Sequence, residues 1–185
     1  FSYLWFSSTH YADGTPIPKV TGTTEWDNLG YTDSAFCWYN NDSAANAETY
    51  GALYTWAAVT GNTSSGSNPS GIQGICPSGW HVPSDEEWKE LEMSLGMSQA
   101  DADNTGWRGT NEGSKLAGNA DLWTDGTLEN DVEFGTSGFQ AFPGGYRGYD
   151  GYFYYLGGYA DFWSATEYYS SYAWGRYLYY NRSEV

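Results

Sequence analysis

The sequence predicts one loop-rich globular domain, spanning residues 1–185, with short helices in its middle and antiparallel strands at its end. Three observations point there. A chain of 185 residues is one ordinary domain or at most two small ones. Hydrophobic residues at 40% suffice for one core at this length. Apolar residues recur at helical spacing near residue 90, then give way to alternating Tyr patches punctuated by Gly.

Composition excludes several classes. Seven Lys and Arg against 23 Asp and Glu leave a net charge of −16. Phosphate-backbone binding runs on clustered cations, so no nucleic-acid partner is expected. No run approaches the 18 apolar residues of a membrane span, so no direct membrane insertion is expected. Disordered acidic chains are poor in aromatics, whereas aromatics here reach 19%.

The elements follow in chain order. Phe1–Phe6 is apolar but too short for an anchor. The chain opens without Met or a basic leader, so a processed protein or a fragment is expected. Asp13-Gly14-Thr15-Pro16 and Asn40-Asn41-Asp42 signal turns. Gly51 to Val59 is apolar enough for a buried helix or strand, and residues 60–71 read as an exposed loop. Ser84 and Glu87 form a capping box before Trp88, Leu91 and Leu95, with Gly96 as the stop. A second short helix is expected from Ser98, with Asp101 completing a similar box and Gly106 at its end. Tyr152–Tyr155 and Trp174–Tyr179 read as strands. Val185 follows a strand-like run with no closing turn, so further residues are expected beyond it. No repeat of fixed period is present, which argues against solenoids and propellers.

Enzymatic parts are scarce. GxSxG, HExxH, P-loop and GxGxxG elements are missing, and His81 sits in the apolar context Gly79–Pro83, as a structural histidine does. No enzymatic activity is expected. Asp101–Gly106 lacks the length and distal Glu of a calcium loop. Asp121, Asp125, Glu129, Asp131 and Glu133 leave an oxygen-ligated calcium possible, but no metal ligand is assigned and no cofactor is expected. Cys37 and Cys76 are an even pair in an export-like composition, so a disulfide is expected, with two free thiols as the alternative. A bridge closing a loop of about 40 residues stabilises by roughly 3–4 kcal/mol in the chain-entropy model.

The strongest functional feature is the C-terminal third: residues 144–185 hold 12 of the 18 tyrosines. Tyr combines a large apolar face with a hydroxyl at low entropic cost, and adaptable binding surfaces combine it with Ser, Gly and Asn. Alternation along a strand sends neighbours to opposite faces, so about half of these rings should face solvent.

A series of motifs then carries a resemblance. Tyr11–Pro18, Phe36–Asp42, Tyr50–Tyr54, Cys76–Ser84, Gly106–Thr110, Gly138-Phe139, Pro143–Arg147, Phe162–Glu167 and Ala173-Trp174 occur in order. Together they resemble the Fibrobacter succinogenes major paralogous domain over about residues 9–185. That resemblance implies an α+β, C-type-lectin-like fold, similar to formylglycine-generating enzymes, with two short helices, small twisted antiparallel sheets and long loops. It also implies a secreted or cell-surface protein of Bacteroidetes or related bacteria. Some members resemble variable proteins of diversity-generating retroelements, whose C-terminal segment carries ligand-contacting positions on a fixed scaffold.

On that pattern Gly145-Tyr146-Arg147, Phe153, Phe162-Trp163-Ser164, Thr166-Glu167, Ala173-Trp174, Arg176 and Leu178 read as framework. The ligand-contacting candidates are Tyr149, Asp150, Tyr152, Tyr154, Tyr155, Tyr159, Asp161, Tyr168, Tyr169, Ser170, Ser171, Tyr172, Tyr177, Tyr179, Asn181 and Arg182. Most fit the palette of adenine-directed mutation of Asn codons, while Glu184 does not. The family usually has an extra N-terminal strand and a final strand bearing a Cys, and the catalytic cysteines of the enzymes have no counterpart here. The expected function is a non-enzymatic adhesion or binding module for a protein or glycan ligand. The alternative is a structural subunit of an extracellular fibre or surface assembly, a homo-oligomer of this chain.

Overall fold

Short helices and two-residue strands succeed one another, separated by turns, before one longer hairpin in the C-terminal third. The structure is a computed structural model that describes residues 8–185; Phe1–Phe6 and the extra N-terminal strand expected from the resemblance lie outside the described residues. The helices are α1 (Thr23–Asp27), α2 (Ser43–Tyr50), α3 (Trp56–Thr60), α4 (Asp85–Ser94), α5 (Gln99–Ala102) and α6 (Glu112–Leu116). The strands are β1 (Phe36–Cys37), β2 (Leu53–Tyr54), β3 (Tyr146–Arg147), β4 (Phe153–Tyr154), β5 (Tyr159–Tyr169) and β6 (Tyr172–Tyr179). They pair as three two-stranded antiparallel sheets, β1–β2, β3–β4 and β5–β6. The chain is therefore α+β with small antiparallel sheets, and it has more helices than the two expected. Of the four additions, α1, α3 and α6 span five residues each, barely more than a turn and too short to leave a helical period in the sequence, while α2 spans eight but buries only Asn46 and so has no apolar stripe to read.

Local chemistry explains the longer pieces. Ser84 Oγ accepts from the Glu87 N–H, and the Glu87 carboxylate accepts from the Ser84 N–H at 3.0 Å, so the capping box is complete. Trp88 is buried, while Leu91 and Leu95 pack on the same core cluster. Gly96 follows at φ +118°, where a Cβ is strained. Ser98 caps α5 by accepting from the Asp101 N–H, but the helix closes at Ala102 rather than Gly106. Gly51 to Val59 divides into both expected forms, β2 and then α3, because Thr55 stops the strand and caps the helix by accepting from the Ala58 N–H. Residues 61–69 are mostly exposed, as a loop should be.

The β5–β6 hairpin is the spine of the C-terminal half. Its register pairs Tyr159 with Tyr179, Ala160 with Leu178, Asp161 with Tyr177 and Phe162 with Arg176. Alternation sorts the side chains. Ala160, Leu178 and Phe162 enter the main core beside Trp88, Leu116, Leu128 and Phe139. Arg176 points the same way and meets α4: its Nε donates to Glu92 Oε1 at 2.5 Å and its Nη1 pairs with Asp85 Oδ1 at 2.8 Å. Arg108 Nη2 takes the other Glu92 oxygen at 2.6 Å, and Glu92 is fully buried. A carboxylate at that depth is held by the two guanidinium groups that neutralise it.

A third arginine ties the segment at residues 20–26 to the β3–β4 hairpin. Arg147 Nε donates to the Gly151 carbonyl, Nη1 to Val20, and Nη2 to Thr21 and Gly22, all at 2.8–3.1 Å. Its guanidinium also lies 4.4 Å from the Trp26 ring centroid and 4.7 Å from that of Phe153.

The expected disulfide is corrected: Cys37 and Cys76 are free thiols. Strand alternation gives the reason. Phe36 packs with Ile75, the neighbour of Cys76, whereas Ala35 and Cys37 face the other way into a cluster with Trp26. Burial pushes both thiols up, Cys76 to about 11.

Candidate functional site

The face of β5–β6 opposite the core carries Tyr159, Asp161 and Trp163 on one strand and Tyr177 and Tyr179 on the other. Their rings pair across the strands: Tyr159 lies 4.6 Å from Tyr179 and 6.2 Å from Tyr177 between centroids. Such pairs add to sheet stability and hold the rings in fixed attitudes. The β3–β4 hairpin extends the surface. Tyr155, at φ +56° in the link to β5, stands 4.9 Å from Tyr159, and Tyr146 packs on Tyr154, Tyr155 and Tyr159 at 5.4–6.1 Å. On the other flank Trp107 meets Tyr177 at 4.9 Å, and the Arg182 guanidinium lies 4.8 Å from the Trp107 centroid. The result is a continuous aromatic surface from Tyr154 to Arg182 that crosses both hairpins.

Asp161 sits within it. The side chain keeps contact with solvent, yet the surrounding atoms desolvate it and push its carboxyl up to about 7. Burial also raises the Tyr159 hydroxyl. At the edge of the surface Tyr154 donates to Asp150 Oδ2 at 2.6 Å, which lowers the Asp150 carboxyl and raises the Tyr154 hydroxyl to about 12. Around the ring surface, therefore, hydroxyl donors and carboxylate acceptors alternate with ring faces.

The remaining candidates fall elsewhere. Tyr149 and Tyr152 are exposed in the β3–β4 turn, Tyr149 at 90%. Tyr168, Tyr169 and Tyr172 form a separate cluster at the tip of β5–β6, each more than half exposed, with Ser170 and Ser171 in the turn between them. Their rings follow one another at 5.1 Å, and Trp174 closes the group 4.7 Å from Tyr168. Asn181 accepts from Thr127 Oγ1 at 3.2 Å. The chosen residues thus form one central surface, one turn, one tip and an isolated Asn.

Some surface residues escaped the sequence. Tyr146 and Trp163 read as framework, yet Tyr146 belongs to the ring surface and Trp163 is 41% exposed, with Nε1 donating to the Tyr54 carbonyl. Trp107 is brought in by a loop far away in the chain. Leu178, Arg176 and Ser164 are buried as framework should be.

The chemistry-bearing candidates have structural partners. His81 Nε2 lies 2.7 Å from Glu87 Oε1, at the α4 capping box. Among the described residues no group of three or more His, Cys, Asp or Glu is gathered to hold a metal ion. Asp125 lies near Glu129, and desolvation with that like charge raises the Glu129 carboxyl. No described helix is long and apolar enough to cross a membrane.

Comparison with protein families settles the relationship that the ordered motifs pointed to. The model of the Fibrobacter succinogenes major domain matches residues 5–184. The chain belongs to that family. The ring surface of this Fibrobacter succinogenes major domain and its buried Arg147, Arg176 and Leu178 all lie inside the matched region. Comparison with curated proteins and comparison with solved structures each gave no match.

Proposed function

We propose that this domain is a non-enzymatic binding or adhesion module of a secreted or cell-surface bacterial protein, with a C-type-lectin-like arrangement that presents the tyrosine surface to a protein or glycan. One observation carries the proposal. The two faces of β5–β6 differ: one is spent on core and ion pairs, and the other sets Asp161 and Tyr177 in solvent with Tyr159 and Tyr179 half-buried beside them. Rigid rings with hydroxyl and carboxylate groups among them suit recognition, through stacking and hydrogen bonds together. A glycan and surface-protein array probed with the intact chain and with a Tyr155→Ser/Tyr177→Ser variant tests it. The expected result is a specific binder whose affinity falls at least about tenfold in the variant, or about 1.4 kcal/mol. Absence of any binder, or unchanged binding by the variant, contradicts it.

The exposed tip of Tyr168, Tyr169 and Tyr172 favours a second reading, a subunit of an extracellular fibre or surface assembly. Such a tip would serve as the contact between subunits. Sedimentation at rising concentration is expected to show association that Tyr169→Ser/Tyr172→Ser removes; a strictly monomeric species at all concentrations contradicts it.

A further inference from the structure

The outer face of β5–β6 sets a carboxylate in a row of rings. Tyr159 and Trp163 flank Asp161 along β5, two residues away on either side, and Tyr177 stands directly across from it on β6. Residues so placed are nearest neighbours on one face. Asp161, Trp163 and Tyr177 are all exposed. Gly175, opposite Trp163, brings no side chain, so the row is open beside Tyr177. Asp161 has no hydrogen-bond donor and no cation as a partner among the described residues; desolvation by the surrounding atoms is all that shifts its carboxyl. All seven Lys and Arg of the chain are engaged elsewhere, three in the ion pairs of α4, two on backbone carbonyls and two over Trp38 and Trp107. Asp150, at the edge of the surface, adds a second carboxylate.

We propose that this surface binds a protein that sets an arginine side chain beside Asp161, its guanidinium paired with the carboxylate and resting on the Tyr177 and Trp163 rings. The assignment rests on the tyrosine surface as the binding face and names the chemistry of its partner. Charge dictates a cation. An unpaired carboxylate in a chain of net charge −16 gains most from a positive group, and a sugar hydroxyl would leave it uncompensated. The rings select arginine. Its planar, weakly hydrated guanidinium stacks on aromatic faces and offers a carboxylate two parallel donors, which a lysine ammonium does not. The chain makes the same ring contact internally, where Arg147 lies against Trp26 and Phe153. The aromatic surface crosses both hairpins, an extent that suits a protein rather than a small cation. Arginine and tyrosine are also the residues that concentrate at the centres of protein interfaces.

An NMR titration of the intact chain with two capped tripeptides, acetyl-Gly-Arg-Gly-amide and its citrulline counterpart, tests it. Citrulline keeps the shape of arginine but replaces the guanidinium with a neutral urea. The expected result is that the arginine peptide shifts the Tyr177 ring and Trp163 indole signals, and that the citrulline peptide binds at least about tenfold more weakly. Asp161→Asn, nearly isosteric and on the exposed face, is expected to weaken arginine binding by a similar factor. Equal binding of the two peptides, arginine binding indifferent to Asp161→Asn, or no binding of the arginine peptide would each overturn the assignment. Array binders that Tyr155→Ser/Tyr177→Ser removes and Asp161→Asn leaves intact would overturn the arginine while keeping the tyrosine surface as the binding face.

Discussion

The two faces of the β5–β6 hairpin share one backbone and one register, yet they obey different rules. The inner face packs Ala160, Phe162 and Leu178 into the main core and sends Arg176 to a buried Glu92. The outer face stacks tyrosines around a solvent-reached Asp161. Inward residues are fixed by volume and by charge neutralisation, so few alternatives fit. Outward residues need only a ring that reaches its neighbour. A scaffold built this way allows the outer set to change while the inner set holds the fold.

That contrast breaks first, and hardest, on the inner side. Glu92→Ala would leave the buried Arg108 without its carboxylate and Arg176 with Asp85 alone, and is expected to destabilise by about 3–5 kcal/mol, read as a lower urea midpoint. Leu178→Ala is expected to cost about 2–5 kcal/mol as a cavity substitution. Arg147→Met follows at about 3 kcal/mol, the scale of hydrogen bonds to a charged donor. Hydrogen exchange should then quicken around residues 20–22, where the guanidinium holds three carbonyls.

The outer face contributes a pH dependence. The Asp161 carboxyl titrates at about 7 in the folded chain, well above the ordinary value of about 3.9 in an unfolded one. Between those values the folded state binds more protons than the unfolded state, so stability falls as pH rises from about 4 to 7 and then levels. Asp161→Asn is expected to flatten that slope in unfolding titrations; an unchanged slope would place its origin elsewhere. The smallest effect belongs to the cysteines. With Cys37 and Cys76 free, reductant should leave the melting temperature unchanged, and two thiols should react with a thiol reagent after unfolding.

The sequence was legible where interactions are local. The α4 capping box, the turn at Asp13-Gly14 and the alternation of Trp174–Tyr179 are all properties of near neighbours, and each appears in the structure. It was opaque where distant segments meet. Nothing near Glu92 announces Arg108 and Arg176, and nothing near Trp107 announces Tyr177. One signal was available: with only seven cations in the chain, any arginine within an apolar framework motif had to be matched to a buried acceptor. Tyr146 misled for a related reason, since its neighbour Arg147 is indeed framework and alternation places the two on opposite faces of β3.

The most direct test of the whole account compares the faces within one urea unfolding series. A single chain carrying Tyr155→Ser, Tyr169→Ser and Tyr177→Ser is set against Leu178→Ala. The prediction is that the triple variant unfolds cooperatively, with an unchanged denaturant slope, and loses less stability than the single inner substitution. A triple variant that loses as much as Leu178→Ala, or unfolds without cooperativity, would show that the tyrosine surface is part of the core and would contradict its assignment to binding.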